Sequence, residues 1–571
     1  MGAELKLIMG KGNTVGQFVN LPSAFKSPAK GISLTKQSIQ EKLDGLKRHD
    51  LRLLKEAAGF LSQLNRYNIK SDKRIDMAHT ILATIYSVMA KNYQKYQSKV
   101  LSLPESKDQR EILLACIEIA EQAAICYKHY FRDIYSAKSL GYRRNRTDCI
   151  ETSVRILELL RMEQRFRGLR HQKLPQSSWL DVNRVFFSML VHNDVDEPVK
   201  LLGSIGTWVR GNKNGATQAP SVTAKSLYIS IQLFGLVDAP SWSSRLFHAP
   251  DAYLAYVTDA MKLHSDNKKD LEPGWLVTHI DNKGAPLFQR EAHLSDPSVM
   301  IEYANLYNKL VMDYEELAKM KFLGTFDANK VSKPLLDLEA IERFPFLESM
   351  LFGLRPRERK QKRHAAFGHE NLKLHFGFRE TYSMLMDMAD ENVKRLTRTR
   401  AFSDSLATTS SALVDELAAY KNTNWEIVNF SSGGILVLTR ETQFTNPIQL
   451  GQIVAFNPNE AVKRPLLGYV SRINRPSDQQ VEVAIVRFSN HAEAAIAKFE
   501  KKGNNPLGEG VVIFQSMEGR WCLIATHDYD FVSGTPFKLL RENNQTLPAR
   551  LGNVMLTKQE FIVFELSAPG M

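Results

Sequence analysis

Between positions 355 and 363 stand Arg355, Arg357, Arg359, Lys360, Lys362 and Arg363, with Glu358 the only acid among them. A guanidinium forks onto phosphate oxygens and also lies flat against a purine, whereas an ammonium supplies only a point charge. The run therefore suits a nucleotide, although a solvated linker or an unspecific polyanion contact would need no more than the same charge. Further along, WEIVNFSSGGILVL places Asn429, Ser431, Gly433 and Gly434 where one apolar run ends and the next begins. An amide and a hydroxyl can read the polar edge of a base, and glycine lets a backbone approach a ligand closely. An ordinary turn between strands uses the same residue types.

Other groupings carry less chemistry. His364, His369 and His375 crowd one region with Glu370, but their spacing matches no helix face or finger pattern, so no metal site is expected. His279 and Asp281 would share one face of a strand, yet no G-x-S-x-G turn accompanies them, and an exposed hairpin is expected rather than a catalytic dyad. The stretch from Tyr142 through Arg143, Arg144 and Arg146, with Arg161, Arg165, Arg167 and Arg170 downstream, reads as a solvated basic face rather than a nucleic-acid contact. There is no Walker A sequence, no G-x-G-x-x-G after a strand, no H-E-x-x-H and no acidic cyclase or phosphodiesterase motif, which argues against an enzyme. Cys116, Cys126, Cys149 and Cys522 show no C-x-x-C spacing and imply no disulfide framework.

The 571 residues carry 75 Lys and Arg against 62 Asp and Glu, with 43% apolar side chains, which describes several folded domains attracted to an anionic partner. Residues 1–30 read as a loose tail. From 31 to 345 apolar residues recur at three- and four-residue steps, giving a helical scaffold. Its helices are expected at Ile39–Leu64, Asp76–Lys99, Lys107–Ser139, Thr147–Arg165, Ser177–Val191, Ser221–Phe234, Ala249–His264 and Ser298–Lys319, with a small hairpin around Asn282-Lys283-Gly284. Residues 346–500 turn to period-two runs at Lys373–Phe378, Trp425–Asn429, Gly434–Thr439, Ile453–Phe456, Leu467–Ile473 and Val481–Phe488, an antiparallel barrel interrupted by a helical insertion over about 382–420. Residues 505–571 alternate again and form a second small β module. The fold class is multidomain α + β: a large all-α N-terminal region, a β-barrel and a second β module. The N-terminus lacks a signal-peptide pattern, and the most apolar helical run is broken by Glu118 and Glu121, so a cytoplasmic protein without membrane spans is expected.

The two motifs and the strands around them resemble the PilZ domain, the bacterial receptor module for cyclic di-GMP. Its signature is R-x-x-x-R before a six-stranded barrel and [D/N]-x-S-x-x-G on the barrel, here Arg359 to Arg363 and Asn429 to Gly434. The likeness spans about 350–490, the C-terminal part only, and the chain departs from the family in the long insertion between the motifs. The resemblance implies that Arg359 and Arg363 clamp phosphates and stack on guanine, that Asn429 and Ser431 bond a guanine edge, and that Gly434 supplies clearance. Arg355, which also makes R-x-x-x-R with Arg359, is an accessory candidate. It further implies a non-enzymatic effector in second-messenger signalling, with cyclic di-GMP as ligand and no cofactor. In that picture the arginine run closes on the barrel, Leu351–Leu354 is the hinge, and the helical region passes the change to an unidentified protein partner. The other reading is an interaction scaffold with a degenerate, non-binding barrel that meets protein or nucleic acid through basic faces.

Overall fold

A computed structural model of the chain describes residues 19, 21, 34–99, 101, 103–136, 145–201, 221–264, 274–288, 298–356, 364–365, 371–387, 424–431, 433–440, 447–456, 465–499, 509–516, 518–527, 532–558 and 560–569. The chain divides into two compact units, Met1–Leu101 with Ser106–Arg357, and Ser102–Glu105 with Glu358–Met571.

The first unit is mainly helical. The periodic run expected as one helix from Ile39 to Leu64 is two, α1 (Lys36–Asp44) and α2 (Asp50–Arg66), separated by a turn that starts at Gly45. Then come α3 (Ser71–Gln97), α4 (Lys107–Ser136), α5 (Arg146–Leu169), α6 (Gln176–His192), α7 (Ala224–Leu236) and α8 (Ala249–Tyr256). Thr35 and Thr223 open α1 and α7 with capping boxes to Ser38 and Ser226, satisfying amides that a helix start leaves unpaired. Helix α5 packs against α4, α6 and α7 and is buried on every face. An all-round buried helix has no polar side, which is why its sequence shows so little amphipathic contrast.

Two expected helices are corrected. The span Ala249–His264 stops being helical at Tyr256 and continues into a strand, β3 (Lys262–His264). The span Ser298–Lys319 opens with a strand, β6 (Ser298–Glu302), whose Val299 and Ile301 favour extended backbone, before α9 (Ala304–Leu323). The hairpin forms as β4 (Trp275–His279) and β5 (Leu287–Phe288), and all four strands join one antiparallel sheet in the order β3-β6-β4-β5. A further strand pair is β1 (Val199–Lys200) with β2 (Ser221–Val222). After α10 (Lys333–Leu336), α11 (Ala340–Gly353) closes the unit. A Cβ on Gly353 would stand 2.6 Å from the Val237 Cα, so only glycine permits this approach.

The second unit holds two six-stranded antiparallel barrels. In the first, β8 (Asn371–Phe376), β9 (Asn424–Ser431), β10 (Gly434–Arg440), β13 (Gln480–Arg487), β12 (Leu466–Ser477) and β11 (Ile453–Phe456) follow one another around the wall, and β11 pairs back to β8. A short strand, β7 (His364–Ala365), adds to β9. Trp425, Phe376, Val437, Val454 and Val483 fill the interior. The connection between α3 and α4 contributes as well. Leu103 exchanges both backbone hydrogen bonds with Ile448 at 3.0 and 2.9 Å, its side chain enters the barrel core, and Glu105 pairs with Arg475 at 3.5 Å where both side chains are almost fully buried.

The second barrel runs β14 (Ser489–Phe499), β15 (Glu509–Ser516), β16 (Trp521–Thr526), β19 (Phe561–Ser567), β18 (Thr546–Thr557) and β17 (Pro536–Leu540), closed on itself. Strand β14 thus belongs to this barrel, not to the first barrel's 346–500 stretch to which the sequence reading assigned it. Its alanines alternate between two cores: Ala495 and Ala497 face inside, while Ala492 and Ala494 face a layer shared with the first barrel and with α12 (Phe378–Met386). With both faces buried, the polar half of the alternation is lost. Glu560 accepts the Phe378 N–H at 2.8 Å and the Ile453 N–H at 3.0 Å, capping α12 from the second barrel. The rest of the expected insertion up to 420 lies outside the described residues.

Candidate ligand face on the first barrel

Simple alternation along β9 would send Asn429 and Ser431 inward behind Trp425 and Ile427. A β-bulge prevents this: Val437 of β10 pairs with Ile427, but its neighbour Leu436 pairs with Asn429, so Val428 is the extra residue. Residues paired directly across antiparallel strands share a face. Ile427 therefore stays with core Val437, whereas Asn429 joins Leu436, and Ser431 joins Gly434, on the outer face.

Two rows cross this face. One runs Ser431, Gly434, Val486, Tyr469, and the other Asn429, Leu436, Ala484, Arg472. At the usual strand spacing the second row spans about 14 Å from Asn429 to Arg472. Asn429 and Ser431 are half-buried and Val486 adds exposed apolar surface, whereas Phe430, paired with core Ile435, belongs to the opposite face. The arrangement offers an amide and a hydroxyl beside apolar surface on the outside of the wall, which suits a ligand with an apolar face and a hydrogen-bonding edge. Tyr469 and Arg472 escape sequence reasoning, because only register brings them into these rows.

Strand β7 links this face to the arginine run. His364, the residue after Arg363, pairs with Phe430, and Ala365 pairs with Asn429. Arg359 and Arg363 themselves lie outside the described residues. Arg355 belongs to the helical unit, where its Nε donates to the Tyr307 hydroxyl at 2.7 Å and its guanidinium faces the Tyr307 ring at 5.7 Å. The expected hinge at Leu351–Leu354 is corrected: Leu351 and Leu354 are buried in the helical core, and the division between units falls at Arg357 and Glu358, inside the arginine run.

Gly434 has a role in the wall. A Cβ there would sit 2.4 Å from the Ile485 carbonyl oxygen, so glycine is required for β10 to lie against β13. The Ser431 hydroxyl points back toward the Gly434 carbonyl at 3.5 Å.

The downstream arginines of the second basic stretch do not form a solvated face. Arg161 and Arg165 both bind Asp251, Arg167 binds Glu163 and Glu121, and Arg170 is buried. Burial alone would raise the Asp251 carboxyl, but the two guanidiniums outweigh it and hold it well below the usual carboxylate range. Arg146 pairs with Asp194 and Glu197, while Tyr142, Arg143 and Arg144 lie outside the described residues. Asp281 pairs with Arg184 at 2.7 Å. No cluster of metal-ligating side chains occurs among the described residues, and none of their helices is long and apolar enough to cross a membrane.

Residues 37–268, about two fifths of the chain, match the family model of the cyclic-di-GMP receptor FimW, N-terminal domain. The helical unit is therefore similar to a domain of a cyclic di-GMP receptor family. The sequence motifs had confined the likeness to the C-terminal part, about 350–490; the matched residues lie instead in the N-terminal helices. No curated protein and no solved structure gives a match.

Proposed function

We propose that the chain is a cyclic di-GMP receptor of the effector type, which binds the nucleotide on the outer face of a PilZ-like first barrel and signals without turning it over. The observation that carries this reading is the β7–β9 pairing, which sets the residue after Arg363 opposite Phe430 and so joins the two sequence motifs through one strand pair. The family match of the helical region to a cyclic di-GMP receptor supports the same ligand from an independent part of the chain. Asn429 and Ser431 bond a guanine edge, and Arg359 and Arg363 close over the phosphates and stack on a base. Arg355 donates to the Tyr307 hydroxyl within the helical unit and is an accessory to the two clamping arginines. The helical unit is the surface offered to a protein partner, in the cytoplasm.

Calorimetric titration of the full chain with cyclic di-GMP, with GTP and cyclic GMP as controls, tests the reading. Saturable heat for cyclic di-GMP alone, lost in the double variant Arg359→Ala with Arg363→Ala, is expected. No heat up to about 100 μM ligand, which excludes binding stronger than roughly −5.5 kcal/mol, overturns it in favour of a scaffold whose Gly434 and Ser431 serve only the packing and turn of the wall.

A further inference from the structure

The helical unit contains a cavity of about 360 Å³ that is remote in sequence from the barrel motifs. It lies among Arg161 of α5, the stretch from Val222 of β2 to Ser230 of α7, and the stretch from Asp251 of α8 to Met261 beyond it. Leu227, Leu254 and Met261 give it apolar walls. Its polar floor is built from Arg161, Ser230 and Asp251.

The charge of that floor is defined by the hydrogen bonds. Asp251 receives Nη2 of Arg161 at 2.8 Å, Nη2 of Arg165 at 3.1 Å and the Ser230 hydroxyl at 2.6 Å. Two guanidiniums thus share one carboxylate and leave a positive charge in excess. Arg161 also gives its Nε to Ser230 at 2.9 Å, while its second terminal nitrogen has no partner among the described residues and the side chain keeps 13% of its exposure. The rim adds no net charge, since Lys225 pairs with Asp196 at 3.2 Å and Asp259 with Lys262 at 3.3 Å. An apolar cavity of this size with one convergent charged donor has the form of a small-molecule site.

We propose that this cavity is a ligand site for a small organic anion with an apolar body, whose acidic head binds the remaining Nη of Arg161. The site does not depend on the nucleotide reading of the barrel. Sodium decanoate is the probe, titrated into the full chain, with decylamine, decanol and inorganic phosphate as controls for charge, chain and head. Decanoate should bind saturably and at least about tenfold more tightly than decylamine or decanol. Arg161→Gln, in which Arg165 still pairs Asp251, should weaken decanoate by about tenfold or more. Ala255→Trp, at an exposed rim position, should block the cavity without disturbing the floor. Melting curves of both variants establish that they fold, and the rim variant decides the matter if the Arg161 variant does not. Absence of saturable decanoate heat, equal binding of decylamine, or decanoate binding that survives the rim substitution overturns the proposal.

Discussion

Gly434→Ala separates what the motif glycine does for the barrel from what it does for a ligand. A Cβ at this position would stand 2.4 Å from the Ile485 carbonyl oxygen. Ordinary carbon-to-oxygen contacts begin near 3.3 Å, so the variant must push β10 and β13 apart by about 1 Å. Neither strand can yield freely, because β10 is also bonded to β9 and β13 to β12. Overpacking of this kind costs about 1–3 kcal/mol, and pinning on both outer edges places Gly434→Ala in the upper half of that range. Asn429→Ala and Ser431→Ala, on the outer face, should change stability by less than about 0.5 kcal/mol. Urea unfolding of the three variants, with hydrogen exchange of the β10 and β13 amides to report on this barrel alone, measures the difference. If Gly434→Ala unfolds within about 0.5 kcal/mol of the parent, the packing account is wrong, and any loss of cyclic di-GMP binding in that variant would then belong to ligand clearance.

Asp251→Asn should destabilise the helical unit by about 3–5 kcal/mol, because it leaves buried Arg165 and largely covered Arg161 without a carboxylate; a thermal or urea shift equivalent to less than about 1 kcal/mol would contradict the ion-pair description. Burial lifts the Glu163 carboxyl to about 7, with Glu121 adding to the rise and Arg167 opposing it. The folded chain therefore holds that proton more tightly than the unfolded one, and the stability gained below the ordinary glutamate value is lost as pH rises through about 7. Paired melts of the parent and Glu163→Gln at pH 5 and pH 8 should show the parent losing ground to the variant at the higher pH, and an unchanged gap would refute this. Glu560→Ala removes the acceptor for the Phe378 and Ile453 amides and should cost about 1–2 kcal/mol, with faster hydrogen exchange at the start of α12.

Strands of this fold are legible in the sequence when one face is wet, or when an apolar run is sharply bounded by turn residues. Strand β13 was legible from its alternation, because a strand with a solvated side writes its period into the chain, whereas Ile453–Phe456, buried at every position, and β10 showed only as apolar runs bounded by turn residues. Strand β14 was not legible: two cores claim its two faces, and alanine fills both. Helix α5 misled for the opposite reason, since its arginines look like a solvent-facing stripe while Asp251, Glu163 and Glu121, distant or hidden in the pattern, take them into internal ion pairs. Ala249–His264 and Ser298–Lys319 show that a short apolar run at a helix boundary serves a strand equally well when a partner strand is at hand. At the ligand face, Asn429, Ser431 and Gly434 could be named from the sequence, but their outward direction depends on one bulged residue, Val428, and pairing register is written in no single segment.

The strand-like contact of Leu103 means that the second unit is not a continuous stretch of chain. A fragment starting at residue 358 would contain every barrel strand named above, yet Ile448 would lose both its amide and its carbonyl partner, and Arg475 would lose the carboxylate of Glu105. The few residues between α3 and α4 accordingly answer to two masters. They must turn the chain between two long helices and also complete a wall encoded more than 250 residues later, so their length and composition are constrained by the barrel as well as by the turn they make.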